Sequence, residues 1–237
     1  SFKSLLYQNL QSTSTNNAGE NKPVAAEVGL GSRVAAITST FTQGNLTHVE
    51  NPFSVALEGD GFFQIRTESG ELQYTRDGSF EISPVANGNM LCTSDGNPVL
   101  DAYGNQIILP SNRVATDLVV NQDGTLAFPD GTGNPAVITD ANGRPVKFGI
   151  YQFNNPAGLS KEGSNNYSVT VASGAAVAEN GNAAVKQTKT HQYYTEASNV
   201  DVANEMVNLI VAQRAYEMNS KAIQASDEMM QQANALR

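Results

Sequence analysis

The side chains of this sequence best suited to chemistry are His48, His191, Cys92 and the carboxylates of Asp60, Asp77 and Glu81. Histidine offers acid–base work near neutral pH, a thiolate offers a nucleophile, and two carboxylates facing a cleft could hydrolyse a glycosidic bond in a cell wall. Each role needs a partner at a definite spacing. No histidine pair stands at metal-ligand spacing, no Gly-x-Ser-x-Gly elbow presents a serine, and no glycine-rich loop opens a helix to cradle phosphate. We therefore expect no enzyme, with no catalytic residue, no cofactor and no metal.

A calcium site is the remaining temptation, because acidic and amide oxygens recur beside glycine: Asp77-Gly78, Asn87-Gly88, Asp95-Gly96, Asp123-Gly124, Asp130-Gly131, Asn142-Gly143 and Asn180-Gly181. The segment starting at Asp140 begins like a calcium loop, but Arg144-Pro145 follows and no bidentate glutamate closes it. These dipeptides reach positive φ cheaply and read as the tight turns of an antiparallel β domain.

The elements around them fall into three parts. Residues 1–50 read as an extended arm or hairpin, with a polar loop at 11–22 too poor in apolar residues to fold by itself. Residues 51–190 carry short alternating runs, Phe63 with Ile65, Leu72 with Tyr74, Phe80 with Ile82, and Val146, Phe148 and Ile150, each placing neighbours two apart on one sheet face. Within them Gly59 and Gly61 bracket Asp60 in a turn expected to hold positive φ and to aim Phe62 and Phe63 at the core. Residues 191–237 contain the third part, since Asp201 to Leu236 holds no glycine or proline and is rich in helix formers. Ser198 or Asn199 is expected to cap this helix.

The helix carries a register: Val202, Leu209, Tyr216, Ile223 and Met230 recur every seven residues, flanked by a column of small or polar Ala212, Asn219, Ser226 and Ala233. That is a seam for another helix, and this sequence contains no second long helix to fill it. We expect a subunit interface there.

Composition limits the partners. With 23 acidic against 14 basic side chains the formal charge is −9, which disfavours nucleic acid and anionic lipid. Cys92 stands alone, so no internal disulfide forms, and it reads as a small core residue. No apolar run approaches the roughly 18 residues needed to cross a bilayer, and Ser1-Phe2-Lys3 does not open a cleavable signal. A soluble chain without membrane insertion is expected.

Two blocks then resemble a known family. Glu58-Gly59-Asp60-Gly61-Phe62-Phe63, followed by Tyr74-Thr75-Arg76-Asp77-Gly78-Ser79-Phe80, is similar to the flagellar rod and hook axial proteins of bacteria. Ser198 to Val202, Glu205-Met206-Val207 and Gln213 to Ile223 resemble that family's C-terminal helix. The span between arm and helix suits a rod rather than a hook member. Phe2 to Gln8 and Gly44-Asn45-Leu46 resemble the distal-rod branch, with the proximal-rod branch next.

The resemblance implies a helical homo-polymer in the basal body, a hollow drive shaft exported by the flagellar type III apparatus. Its partners would be other rod and hook proteins and the bushing ring proteins. It also implies an N-terminal helix ahead of Phe2, which this sequence lacks. Two positions depart from the family pattern: Tyr193 stands where glycine is usual, and Asn166 where an apolar residue is usual. A monomeric binding module or adhesin is the reading from another class, but such a module has no use for a heptad column.

Overall fold

The strands are short because glycine-centred turns interrupt the chain every few residues. The computed structural model describes residues 2–4, 7–11, 26–29, 32–34, 37–130, 135–140 and 142–235. The polar loop at 11–22, from residue 12 on, lies outside the described residues, as do Gly131 and Leu236.

Two units follow one another, 1–41 and 42–237. In the first, β1 (Phe2–Ser4) pairs antiparallel with β4 (Ser32–Val34), and β2 (Tyr7–Gln11) with β3 (Ala26–Gly29), as in a hairpin arm.

The second unit holds β5 (Leu46–His48), β6 (Val55–Glu58), β7 (Phe62–Arg66), β8 (Leu72–Thr75), β9 (Glu81–Val85) and β10 (Gly88–Cys92). It continues with β11 (Ile108–Leu109), β12 (Val119–Val120), β13 (Leu126–Pro129), β14 (Pro135–Val137) and β15 (Ile150–Gln152). Then come β16 (Ser160–Gly163), β17 (Asn166–Ser168), β18 (Val177–Ala178), β19 (Lys189–Gln192), β20 (Tyr194–Glu196) and the helix α1 (Val202–Ala235). The fold is thus mainly antiparallel β with one long C-terminal helix.

The largest sheet runs β16-β17-β8-β7-β15-β18. Along β7 the alternation of side chains sends Phe63 and Ile65 to one face, where they join Leu57, Phe80, Leu126 and Phe148 in the main core. The other face is buried too, which single-faced alternation does not predict. There Phe62 meets Phe153 and Tyr167 edge-on, Tyr74 meets Phe153, and the buried Gln64 donates from Nε2 to Tyr74 Oη. Leu72, two residues before Tyr74 and on the same face by alternation, lies exposed at the start of β8 while Tyr74 is buried.

Five turns repeat one build. In Thr67–Glu71, Thr93–Asn97, Asp101–Asn105, Asn121–Thr125 and Asp140–Arg144, the first residue's N–H donates to the fifth carbonyl, and the fourth residue's N–H donates to the first carbonyl. The fourth residue is always glycine, at φ between 74° and 85°. A side chain there would meet the steric penalty of the left-handed region. The first side chain often reinforces the turn: Asp101 Oδ1 accepts from the N–H of Tyr103 and of Asn105, and Asp140 Oδ1 from those of Asn142 and Arg144. Both Asp-Gly and Asn-Gly steps and the less obvious Ser69-Gly70 and Tyr103-Gly104 fall into this pattern.

The Gly59–Gly61 turn departs from expectation at one position. Gly59 has φ of 138°, but Gly61 is not in the positive-φ region. Its constraint is space, since a Cβ would sit 2.5 Å from Ile150 Cγ2 and 2.7 Å from Thr188 Oγ1. Gly78 is likewise crowded, with Val55 O at 1.8 Å from any added Cβ. Among non-glycine residues, Tyr193 takes φ of 64°, a conformation that glycine adopts without strain.

Candidate assembly surface

Helix α1 opens on Asp201, whose Oδ1 accepts the N–H of Ala203 and whose carbonyl accepts that of Glu205. This is the N-cap, in place of Ser198 or Asn199. Asn199 is drawn away because its Nδ2 donates to both the carbonyl and Oγ1 of Thr42. Glu205 lies in the first turn, where an anion suits the helix dipole.

From Val202 to Gln232 every side chain of the helix is exposed except the half-buried Ser220. The heptad column is open to solvent, with Val202 at 68%, Leu209 at 58%, Tyr216 at 77%, Ile223 at 64% and Met230 at 59% of full exposure. Ala212, Asn219 and Ser226 are exposed beside it. Val207, Val211 and Met218, not read from the sequence as part of a face, are also exposed together with Met229, and at about 100° per residue the four project roughly opposite to Val202 and Leu209. The missed signal was the spacing of 4, 7 and 11 residues that unites them.

A two-stranded ribbon leads to the helix. In it β5 and β20 pair antiparallel, Ala197 N donates to Asn45 O, and a Cβ at Gly44 would lie 1.9 Å from Ala197 O. Tyr193 marks the point where the returning chain stops pairing with β6 through β19 and starts pairing with β5 through β20.

The residues considered for chemistry do not converge on one site. His191 Nε2 and Glu58 Oε2 are 2.7 Å apart on an exposed pair, and this hydrogen bond, chiefly, holds the Glu58 carboxyl below its usual range. His48 packs against Tyr193 and Tyr194. Cys92 is buried, with Sγ donating to Glu81 O, and burial, aided by the Glu81 charge, raises its thiol pKa. Asp77 closes a turn, Oδ1 accepting from Ser79 N and Oδ2 from Asn165 Nδ2. Asp60 sits exposed at the tip of its turn. Among the described residues no three His, Cys, Asp or Glu side chains stand together as a metal site, and no helix is long and apolar enough to cross a membrane.

The most prominent surface is therefore the helix, and known proteins resemble the chain there and throughout. Residues 191–236 match the family described as flagellar basal body rod FlgEFG protein C-terminal. Residues 56–128 match the flagellar hook protein FlgE/F/G D1 domain. The flagellar basal-body rod protein FlgG of Borreliella burgdorferi is 38% identical over 242 residues, covering 100% of this chain and 84% of that relative. FlgG of Buchnera aphidicola from Acyrthosiphon pisum is 35% identical over 243 residues, 99% of this chain and 85% of the relative. FlgG of Caulobacter vibrioides is 34% identical, at 100% and 85%. Similarity of that degree along essentially its whole length makes the chain a member of the flagellar rod and hook protein family, on its FlgG branch.

Proposed function

We propose that this chain is a structural subunit of the flagellar basal-body distal rod, without catalytic activity. It polymerises helically with its own copies into a torque-bearing hollow shaft and joins other rod and hook axial proteins end to end. Contacts with bushing ring proteins fall to its outer β surface.

The observation that carries this reading is α1, a 34-residue helix whose exposed apolar residues include two sets, Val202 with Leu209 and Val207, Val211, Met218 with Met229, on roughly opposite sides. A helix apolar on one side needs one neighbour, whereas one apolar on two sides needs to be sandwiched. Packing in a closed or helical array of identical subunits meets that need, while a monomeric binding module leaves both sides wet. The names of the FlgG relatives, basal-body rod proteins, support the same reading.

The interface is assigned to Val202, Leu209, Ala212, Tyr216, Asn219, Ile223, Ser226 and Met230. Leu209→Asp or Ile223→Asp puts a charge into a seam that closes only in the polymer, at about 3 kcal/mol or more per contact. Rod assembly and motility should be lost while the β domain keeps its melting temperature. Motile cells carrying both substitutions would refute the seam, and unfolding of the β domain by either would assign the helix to the monomer's own core.

A further inference from the structure

Arg76 lies at the end of β8, and its guanidinium is largely buried, the side chain being 13% exposed. Nε and Nη2 donate to Glu196 Oε2 at 3.1 and 2.9 Å, while Nη1 donates to the carbonyls of Gly59 and Gly61 at 2.9 and 3.2 Å. The carbon of the guanidinium stands 5.7 Å from the centre of the Phe62 ring. Glu196 spends its other oxygen, Oε1, on the N–H of Gly44 at 2.9 Å. Thus one ion pair joins the end of β8, the Gly59–Gly61 turn and both strands of the ribbon that leads to α1.

A second bridge runs beside it. Gln43 Nε2 donates to Leu57 O, and its Oε1 accepts the N–H of Gly59, so an amide side chain imitates one more rung of β6. Beyond Tyr193, where the ribbon leaves β19, these side chains tie it to the domain. The guanidinium makes four donated bonds from one rigid plane, two to the carboxylate and one to each carbonyl, more than the three donors of a lysine ammonium can supply.

We propose that Arg76 and Glu196 form a latch that holds the helix-bearing ribbon, residues 42–48 and 194–199, against the β domain and so fixes the direction in which α1 departs. The pair contributes to this local docking and not to the β core. Without it the ribbon opens as a unit about Tyr193 while the sheets remain closed.

Amide hydrogen exchange of the purified full chain, read by NMR, tests the latch independently of whether the chain assembles into a rod. In Glu196→Gln and in Arg76→Lys, exchange at Gly44 and Ala197 should quicken by about tenfold or more, because each variant leaves a largely buried partner short of its charge or its fork. Exchange at Gln64 and Leu100, which sit in the body of the domain, should change by less than about twofold. The exposed Glu58→Gln variant should leave all four amides as they were. Unchanged exchange at Gly44 and Ala197 in both latch variants would overturn the proposal. Equal acceleration at Gln64 and Leu100 would overturn it as well, since the pair would then support the domain as a whole.

Discussion

Tyr193 occupies a left-handed backbone position at a strain cost of about 1–2 kcal/mol that glycine would avoid, offset in part by its contact with His48. Tyr193→Gly should therefore raise the stability of the chain by about 0.5–1 kcal/mol in thermal unfolding, after the greater entropy of an unfolded glycine is deducted. A fall in melting temperature would show that the ring contact outweighs the strain. At Gly61 the expected effect is larger and opposite in sign. Gly61→Val forces methyl groups onto Ile150 and Thr188 and should cost about 1–3 kcal/mol. Cys92 tests burial directly. Its raised pKa and enclosed position predict that iodoacetamide labels it only on unfolding, whereas rapid alkylation of the native chain, followed by mass spectrometry, would contradict the closed β9–β10 pairing around it.

At the scale of elements, the cap of α1 is a single carboxylate. Asp201→Ala should weaken the helix by about 1 kcal/mol and lower the helical circular dichroism of the monomer, while Ser198→Ala should leave it unchanged. The helix was legible in the sequence because helix formers dominate from Asp201 to Leu236 with no glycine or proline among them. Its cap was misjudged because Asn199 is held by Thr42, a contact between residues far apart in the chain. Turn positions were legible from dipeptides, yet Gly70 and Gly104 escaped, since the signal shared by the five turns is a Thr, Asp or Asn three residues before glycine. The double burial of β7 was illegible for a different reason. Periodicity reports that Phe63 and Ile65 share a face, but whether Phe62 and Gln64 face water or Phe153 and Tyr167 depends on which distant strands arrive. The Arg76–Glu196 pair has no local pattern at all, being joined across the fold. Tyr193, read from the sequence only as a departure from the resemblance, holds the left-handed backbone at the β19–β20 junction.

For the whole molecule, acidification should lower stability. Asp140 is held below its usual range chiefly by the N–H of Arg144, and Asp123 is lowered although burial alone raises it, because hydrogen bonds from Thr125 prevail. Glu58 is lowered by His191. A carboxyl depressed in the folded state stabilises it above the ordinary pKa of about 4, and this contribution is lost as pH falls through the depressed value. Melting temperature should accordingly drop on acidification below about pH 4, and Asp140→Asn should flatten part of that dependence. Calcium should have no such influence: melting curves in chelator and in millimolar calcium should superimpose, and an upward shift would mean that the turns bind ions after all. The chain enters the β domain along β5 and leaves it along β20, side by side and hydrogen-bonded, so everything between Val49 and Tyr193 hangs from a single paired neck. Such a neck is a cartridge fitting. An outer domain of another size, spliced in at those two residues and carrying its own partner for Glu196, would keep the paired neck and the helix beyond it, and descendants of one shaft protein could exchange their exteriors while keeping the axle.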